Sequence, residues 1–419
     1  MLMTLIASFL ESVKGGKKCK IDAEWSVSLD SHITSQLSSG YLDEDSVVVG
    51  TASGKVRAFS SYGKEKWSFS ASKAPGKEEA FFLEDESLGK IKSSPVIADI
   101  NKDGRGEVIF GTEYGVLYAL DCKGKPLWNF KARDEISGSV FVEDINKDGR
   151  AEILFGSSDS NFYALTSQGK LLWEFNAGSG IESQPGVTKN GPKKIIFGSN
   201  DGTVYALNEK GKKMWEFKAG DKITAQPCIG NLYNDAREFI ILGSLDNNLY
   251  VLANDGKLCW NYKTEGRIFS KAVLCDLNKD RRNEIVFGSC DDKIHILSDS
   301  GKKIWDFETN FWVVPSPIVG DFDDNGQLEV AVGSCDNFVY ILEAEGKYAL
   351  DYMPGISGIT GQPGNYTDLP TSEPGCYIGN VLSKYKTDGM IVGSALSSGK
   401  SIIAATETGK LYKLKYTGI

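Results

Sequence analysis

Gly111-Thr-Glu-Tyr-Gly-Val-Leu-Tyr-Ala-Leu120 is followed, after a short turn, by Gly124-Lys-Pro-Leu-Trp-Asn-Phe130. Val116 to Asp121 alternates apolar side chains, as a strand with one buried face does, and Trp128 and Phe130 stand two apart on one face of a further strand. Gly115 and Gly124 mark the turns between them. The same pattern begins again at Gly50, Gly156, Gly198, Gly243, Gly288 and Gly333, and a last copy starts at Ala405. A fixed period of this kind decides the architecture before any residue is read for chemistry.

Upstream of each copy lies a first strand with its own signature. It reads Ile33-Thr-Ser-Gln36, Ile91-Lys-Ser-Ser94, Ile136-Ser-Gly-Ser139, Ile181-Glu-Ser-Gln184, Ile223-Thr-Ala-Gln226, Ile268-Phe-Ser-Lys271, Val313-Val-Pro-Ser316 and Ile359-Thr-Gly-Gln362. The third position is always small, as expected where eight strands converge on a narrow axis. Four-stranded units of this length are β-propeller blades. The expected fold is therefore all-β: an eight-bladed propeller of four-stranded antiparallel blades spanning residues 20–419. Residues 1–19 are expected to form a short helix. The last copy lacks a fourth strand, and Lys20 to Leu29, with Trp25 and Val27 at the Trp-x-Phe positions, supplies it. The N-terminal strand should thus complete the blade begun at Ile359 and close the ring, which removes the exposed sheet edge. Insertions at 70–90 and 364–400 interrupt the period. The second falls between a first and a second strand on this reading.

The repeat also accounts for residues that would otherwise invite chemistry. Trp25, Trp67, Trp128, Trp173, Trp215, Trp260 and Trp305 share one address, taken by Leu350 in the seventh unit. His295 occupies the slot held by Tyr118, Tyr163, Tyr205, Tyr250, Tyr340 and Tyr412 and reads as a blade residue. Trp312 lies outside the pattern, near the axis.

Composition narrows the class. A formal charge of −9 argues against a nucleic-acid surface. Eight cysteines are scattered without metal-type Cys-x-x-Cys spacing, which leans towards a reducing compartment. The apolar start, Met1 to Leu10, lacks a basic leader and a clear cleavage site and is too short to span a bilayer. A monomer without transmembrane segments is expected.

Four loops between first and second strands carry oxygen ligands at positions 1, 3, 5 and 9. They are Asp99-x-Asn101-x-Asp103-Gly104-Arg105-x-Glu107, Asp144-x-Asn146-x-Asp148-Gly149-Arg150-x-Glu152, Asp276-x-Asn278-x-Asp280-Arg281-Arg282-x-Glu284 and Asp321-x-Asp323-x-Asn325-Gly326-Gln327-x-Glu329. Calcium takes six to eight hard oxygens, and glycine at position 6 permits the sharp reversal that aims the next carbonyl inward. Position 7 (Arg105, Arg150, Arg282, Gln327) would contribute only its backbone oxygen. Three calcium ions are expected in the loops with glycine. A fourth in the Asp276 loop would have to accept Arg281 in a strained turn. The alternative is a set of Asx turns bonded to themselves. The Asn231 loop, with Phe239 where glutamate is needed, is expected to bind none. Calcium loops suggest a location outside the cytoplasm, in conflict with the free thiols.

The Tyr-Ala-Leu and Gly-Lys-x-x-Trp-x-Phe units resemble PQQ-like β-propeller repeats, as in quinoprotein dehydrogenases and the BamB-type outer-membrane assembly scaffold. The Asp-x-Asn-x-Asp-Gly-x-x-Glu loops resemble the calcium loops of FG-GAP repeats in integrin α-subunit propellers. A quinoprotein resemblance would imply PQQ over a vicinal cysteine pair. This chain has no adjacent cysteines, so PQQ is not expected. A calcium-braced, non-catalytic scaffold for a protein or glycan is the leading expectation. A quinoprotein-like oxidoreductase and a polysaccharide lyase or hydrolase working at the channel mouth are the alternatives. No catalytic residues are assigned. Lys92, Glu182, Phe269, Lys271 and Trp312 break the ring of small or neutral residues at that mouth, with His32 beside them, and are the candidate ligand contacts.

Overall fold

A computed structural model of the protein describes residues 20–71, 90–233, 235–344, 347–348, 377–378, 381–396 and 401–417. The expected N-terminal helix and most of both insertions lie outside these residues. The described strands form eight sheets arranged as propeller blades, seven of them four-stranded and antiparallel, and blade six is extended to six strands with one parallel pair. In blade two, Val96–Ala98, Glu107–Gly111, Val116–Leu120 and Pro126–Lys131 run from the axis outwards. Lys20–Ser28 pairs antiparallel with Lys410–Thr417 and closes the ring as the outer strand of blade eight.

The blade that Lys20–Ser28 completes does not begin at Ile359. Its inner strand is Ile391–Leu396, and residues 359–362 lie outside the described ones. Nor does the region of Leu350 supply the outer strand of blade seven: Val381–Lys386 pairs with Phe338–Glu343. Ser383 faces Ile341 as Trp128 faces Ala119, so a serine takes the tryptophan address. The expected insertion at 364–400 therefore contains the outer strand of blade seven and the inner strand of blade eight, and the chain that interrupts the period lies between Glu343 and Val381, the third and fourth strands of blade seven.

The repeated residues mark joints between blades. The glycine that opens each of the first seven copies receives the first signature residue of the following blade, isoleucine in every case but Val313. A Cβ on Gly111 would lie 2.3 Å from Ile136 Cγ2, and one on Gly333 2.5 Å from Ile391 Cγ2. That contact identifies Ile391-Val392-Gly393-Ser394 as the eighth signature. On the outer side, each tryptophan reaches the turn of the next blade. The indole N–H of Trp25, Trp67, Trp128, Trp173, Trp215 and Trp305 donates to Ser61, Cys122, Ser167, Glu209, Asn254 and Ala344 carbonyls at 2.9–3.1 Å. The ring lies flat on the turn glycine. Gly169 has φ +77°, and a Cβ there would stand 2.6 Å from the Trp128 ring. Gly169→Ala should therefore cost about 1–3 kcal/mol, combining left-handed strain with overpacking, as read from denaturant midpoints. Trp260 differs. Its N–H is buried without a partner, and the Asp299 carbonyl that its repeat position would use accepts Tyr233 Oη at 3.3 Å.

His295 is a blade residue, 3% exposed and stacked on Phe287 at 5.1 Å. Its Nε2 meets Asp291 at 3.0 Å, where Tyr163, Tyr250 and Tyr340 donate to Asp159, Asp246 and Asp336 at 2.6 Å. Among the described residues no helix is long and apolar enough to cross a membrane.

Candidate functional site

The four acidic loops share one hydrogen-bond scheme. In blade two, Asp99 accepts the Lys102 and Gly104 N–H groups at 2.6 and 2.9 Å, and Asp103 accepts Arg105 N–H at 2.8 Å. Glu107, 1% exposed, accepts Ile100 N–H at 2.9 Å and so ties the loop's end to its start. Glu152, Glu284 and Glu329 do the same for Ile145, Leu277 and Phe322 at 2.8–2.9 Å. Asp144, Asp276 and Asp321 each accept the N–H at position 6, from Gly149, Arg281 and Gly326. Arg281 sits at φ 72°, so the strain expected where arginine replaces glycine is present.

The loops differ at position 3. The Asn101 amide donates to Glu107 Oε1 at 2.9 Å and Asp103 Oδ2 at 3.4 Å, while its carbonyl accepts Asp103 N–H at 2.8 Å. Asn146 and Asn278 are placed alike, with contacts of 3.0 and 3.3 Å to Glu152 and Glu284. In these loops an N–H donor stands between the acidic groups. The Asp321 loop has Asp323 instead. Its Asp321, Asp323 and Glu329 each place an oxygen within 4.8 Å of the others, a carboxylate triad that a divalent cation could bridge. Asn325 Nδ2 donates to Asp323 Oδ2 at 3.0 Å, and Gln327 Oε1 accepts Lys279 Nζ of the neighbouring loop at 3.2 Å.

Burial, reinforced by Asp280 and Asp276, pushes the Glu284 carboxyl up to about 7 from 4.5, and Glu107 and Glu152 shift the same way. A carboxyl whose folded pKa is raised contributes stability that is complete below its unfolded value and lost as pH rises through the folded one. With a chelator present, stability should fall by up to about 3 kcal/mol between pH 4.5 and 7 through Glu284 alone. Glu284→Gln should remove that slope in denaturation curves recorded across the range.

The Asn231 loop holds a feature that sequence reading missed. Glu238, one place short of the expected position, is 5% exposed and accepts Lys189 and Asn190 N–H at 2.8 and 3.0 Å. It caps the shortened loop of blade four from blade five. The displaced glutamate was the available signal.

At the axis, the small third residues of the signatures are buried, and Ser35, Ser183 and Ser270 hydroxyls accept Gly50, Gly198 and Gly288 N–H at 2.9–3.0 Å. The second and fourth residues point into a channel pocket of about 250 Å³. Thr34, Gln36, Ser94, Ser139, Gln184, Thr224, Gln226 and Ser316 give it hydroxyls and amides, and Lys92, Glu182, Phe269 and Lys271 join them. Four of the six candidate contacts thus share one pocket.

His32 and Trp312 do not line it. They belong to an outer ring one residue before each signature, fixed by backbone bonds to the adjacent second-to-third-strand turn. Ala52 N–H donates to His32 O, Cys290 to Arg267 O and Cys335 to Trp312 O, each at 2.9 Å. The mouth is electrostatically divided. Lys92 pairs with Glu135 at 3.1 Å and Glu113 at 3.7 Å, and Glu182 accepts Asn200 Nδ2 at 2.7 Å. On blade six, Arg267, Phe269 and Lys271 alternate along the segment that leads into the inner strand Val273–Cys275, and neither cation has an acidic partner among the described residues. Beside them Phe311 and Trp312 stack at 5.0 Å, 42% and 46% exposed. Arg267 holds the same address as His32 and Trp312 but was not among the sequence candidates.

A closed ring of eight blades around a polar channel defines a β-propeller repeat protein. The family described as the lambda-carrageenase beta-propeller domain matches residues 135–181, 185–266 and 252–352, more than half of the chain, and the chain belongs to that family. Among solved structures, BamB from Moraxella catarrhalis superposes with a TM-score of 0.64 at 15% identity, covering 94% of this chain and 98% of that one. BBS1N in complex with ARL6DN, soaked with mercury or with lead, superposes with a TM-score of 0.51 at 12% identity, covering 77% and 90%. These likenesses show the fold. No curated protein matches the chain.

Proposed function

We propose that this propeller is a non-catalytic binding scaffold whose channel mouth takes an anionic glycan. The observation that carries the reading is Arg267 and Lys271, without acidic partners among the described residues and interleaved with Phe269, beside the exposed Phe311–Trp312 stack. Exposed aromatic faces suit the apolar face of a sugar ring, and unpaired cations suit sulfate or carboxylate groups. The hydroxyl and amide lining supplies exchangeable partners for sugar hydroxyls. The family's description names a lambda-carrageenase, so λ-carrageenan is the first ligand to test. Titration calorimetry with its oligosaccharides should show binding that weakens with salt and falls at least tenfold in Arg267→Ala/Lys271→Ala. Unchanged affinity in the double variant would refute the assignment.

The carrageenase name favours hydrolysis as a second reading, for which Glu182, which lines the pocket, and Glu135, beside Lys92, are candidate carboxylates. Both are held by partners, Glu182 by Asn200 and Glu135 by Lys92. Release of reducing ends that disappears in Glu182→Gln would establish it.

We further propose that calcium braces the acidic loops. Buried glutamates beside further carboxylates form a donor set that a hard cation would stabilise, and the Asp321 triad fits best. In the other three loops, the position 3 amide would have to turn its oxygen towards the ion.

A further inference from the structure

The outer strands of blades two to five are Pro126–Lys131, Leu171–Asn176, Lys213–Lys218 and Leu258–Lys263. Each ends its sheet, so one row of backbone N–H and C=O groups faces outwards. They also carry the largest exposed aliphatic side chains of the described rim. Leu127, Leu171, Leu172, Met214 and Leu258 are 46–49% exposed, all at the start of the strand.

Blade six shows what such an edge accepts. Tyr377–Ile378 pairs parallel with the outer strand Lys303–Glu308 at Trp305 and Asp306, and Lys347–Tyr348 adds beyond it. Under this cover Trp305 is fully buried and Ile304 partly so, whereas Trp128 is only partly buried and Leu127 is exposed. In blades one and eight the address of Leu127 holds Lys66 and Glu24, engaged with Asp43 and Lys413. In blade seven the address holds Leu382, which is partly buried, so the exposed apolar edges lie on consecutive blades next to the covered one.

Charge decides the occupant. The turn that leads into each of these strands carries a lysine at one repeat position, and Lys125, Lys170 and Lys212 have no acidic partner among the described residues. Identical lysine-flanked edges repel one another, which disfavours a second copy of this chain. We propose that the outer edges of blades two to five dock an extended segment of a partner protein, alternating apolar and acidic residues. The segment adds as a fifth strand in the way that Tyr377–Ile378 adds to blade six. Backbone bonds supply affinity, and alternate side chains on Leu172 and Met214 supply selectivity.

The test uses the full chain and an end-capped octapeptide alternating valine and glutamate. Saturating peptide should slow amide hydrogen exchange at least tenfold in the outer strands of blades two to five and leave that of blade six unchanged. Leu172→Lys/Met214→Lys, both exposed and expected to keep the parent melting temperature, should weaken peptide binding at least tenfold. An octapeptide alternating valine and lysine should not bind. Unchanged exchange in those strands overturns the proposal. So does protection that appears without peptide and grows with protein concentration, which would make the occupant a second copy.

Discussion

Trp128→Ala is expected to lower the stability of the ring by about 3–5 kcal/mol, the usual cost of emptying a large aromatic site. The loss falls on a joint between blades two and three: the ring packs on Gly169, and its N–H satisfies the Ser167 carbonyl at 3.0 Å. Two phenylalanine variants divide that cost. Trp128→Phe keeps most of the packing but strands the carbonyl, and should cost about 1–3 kcal/mol for that lost bond in addition to the smaller ring. Trp260→Phe removes an N–H that is already buried without a partner, so it should be the milder change of the two. Equal losses in urea titrations of the two variants would show that packing alone holds the joints.

Calcium returned to chelator-treated protein should raise stability by about 2.7 kcal/mol for each occupied loop at a hundredfold its dissociation constant. Magnesium, which demands near-octahedral geometry and dehydrates reluctantly, should give much less. The Asp321 loop should fill first, since its three carboxylates already converge. Asp323→Asn rebuilds there the asparagine that the other three loops carry, and should remove the tightest calcium step in a melting-temperature titration. A wild-type melting temperature indifferent to calcium, together with the absence of bound metal on elemental analysis, would leave all four loops as self-bonded turns.

Most of the ring could be read from residue order alone, because each blade repeats both halves of its joints: the glycine that receives an isoleucine and the glycine that receives a tryptophan. Trp25 even revealed the closing strand. The reading failed where the repeat lost its marker. Ser383 stands at the tryptophan address, and Ile359-Thr-Gly-Gln362 imitates the eighth signature at the expected spacing, whereas Ile391-Val392-Gly393-Ser394 is the one seated on Gly333. At the mouth, Lys92, Glu182, Phe269 and Lys271 were legible because the period assigns them to one ring of the channel. Arg267 was not: it shares the address of His32 and Trp312, and only the fold shows that no acidic side chain among the described residues pairs with it. The orientation of Asn101, Asn146 and Asn278 was equally hidden. A side-chain amide can offer either end, and the buried glutamate beside it selects the donor end.

The closing strand also sets the mechanical character of the molecule. Lys20 lies opposite Thr417 and Ser28 opposite Lys410, so both loose ends of the seam emerge at the same point. Tension between the two termini therefore loads the pairs one after another, as in a zip, and never all of them at once. The ring resists heat as a closed circle but should part at low force when pulled by its ends, strand Lys20–Ser28 peeling away before any other blade is disturbed. Anchored through a single terminus, the same molecule would carry load without opening.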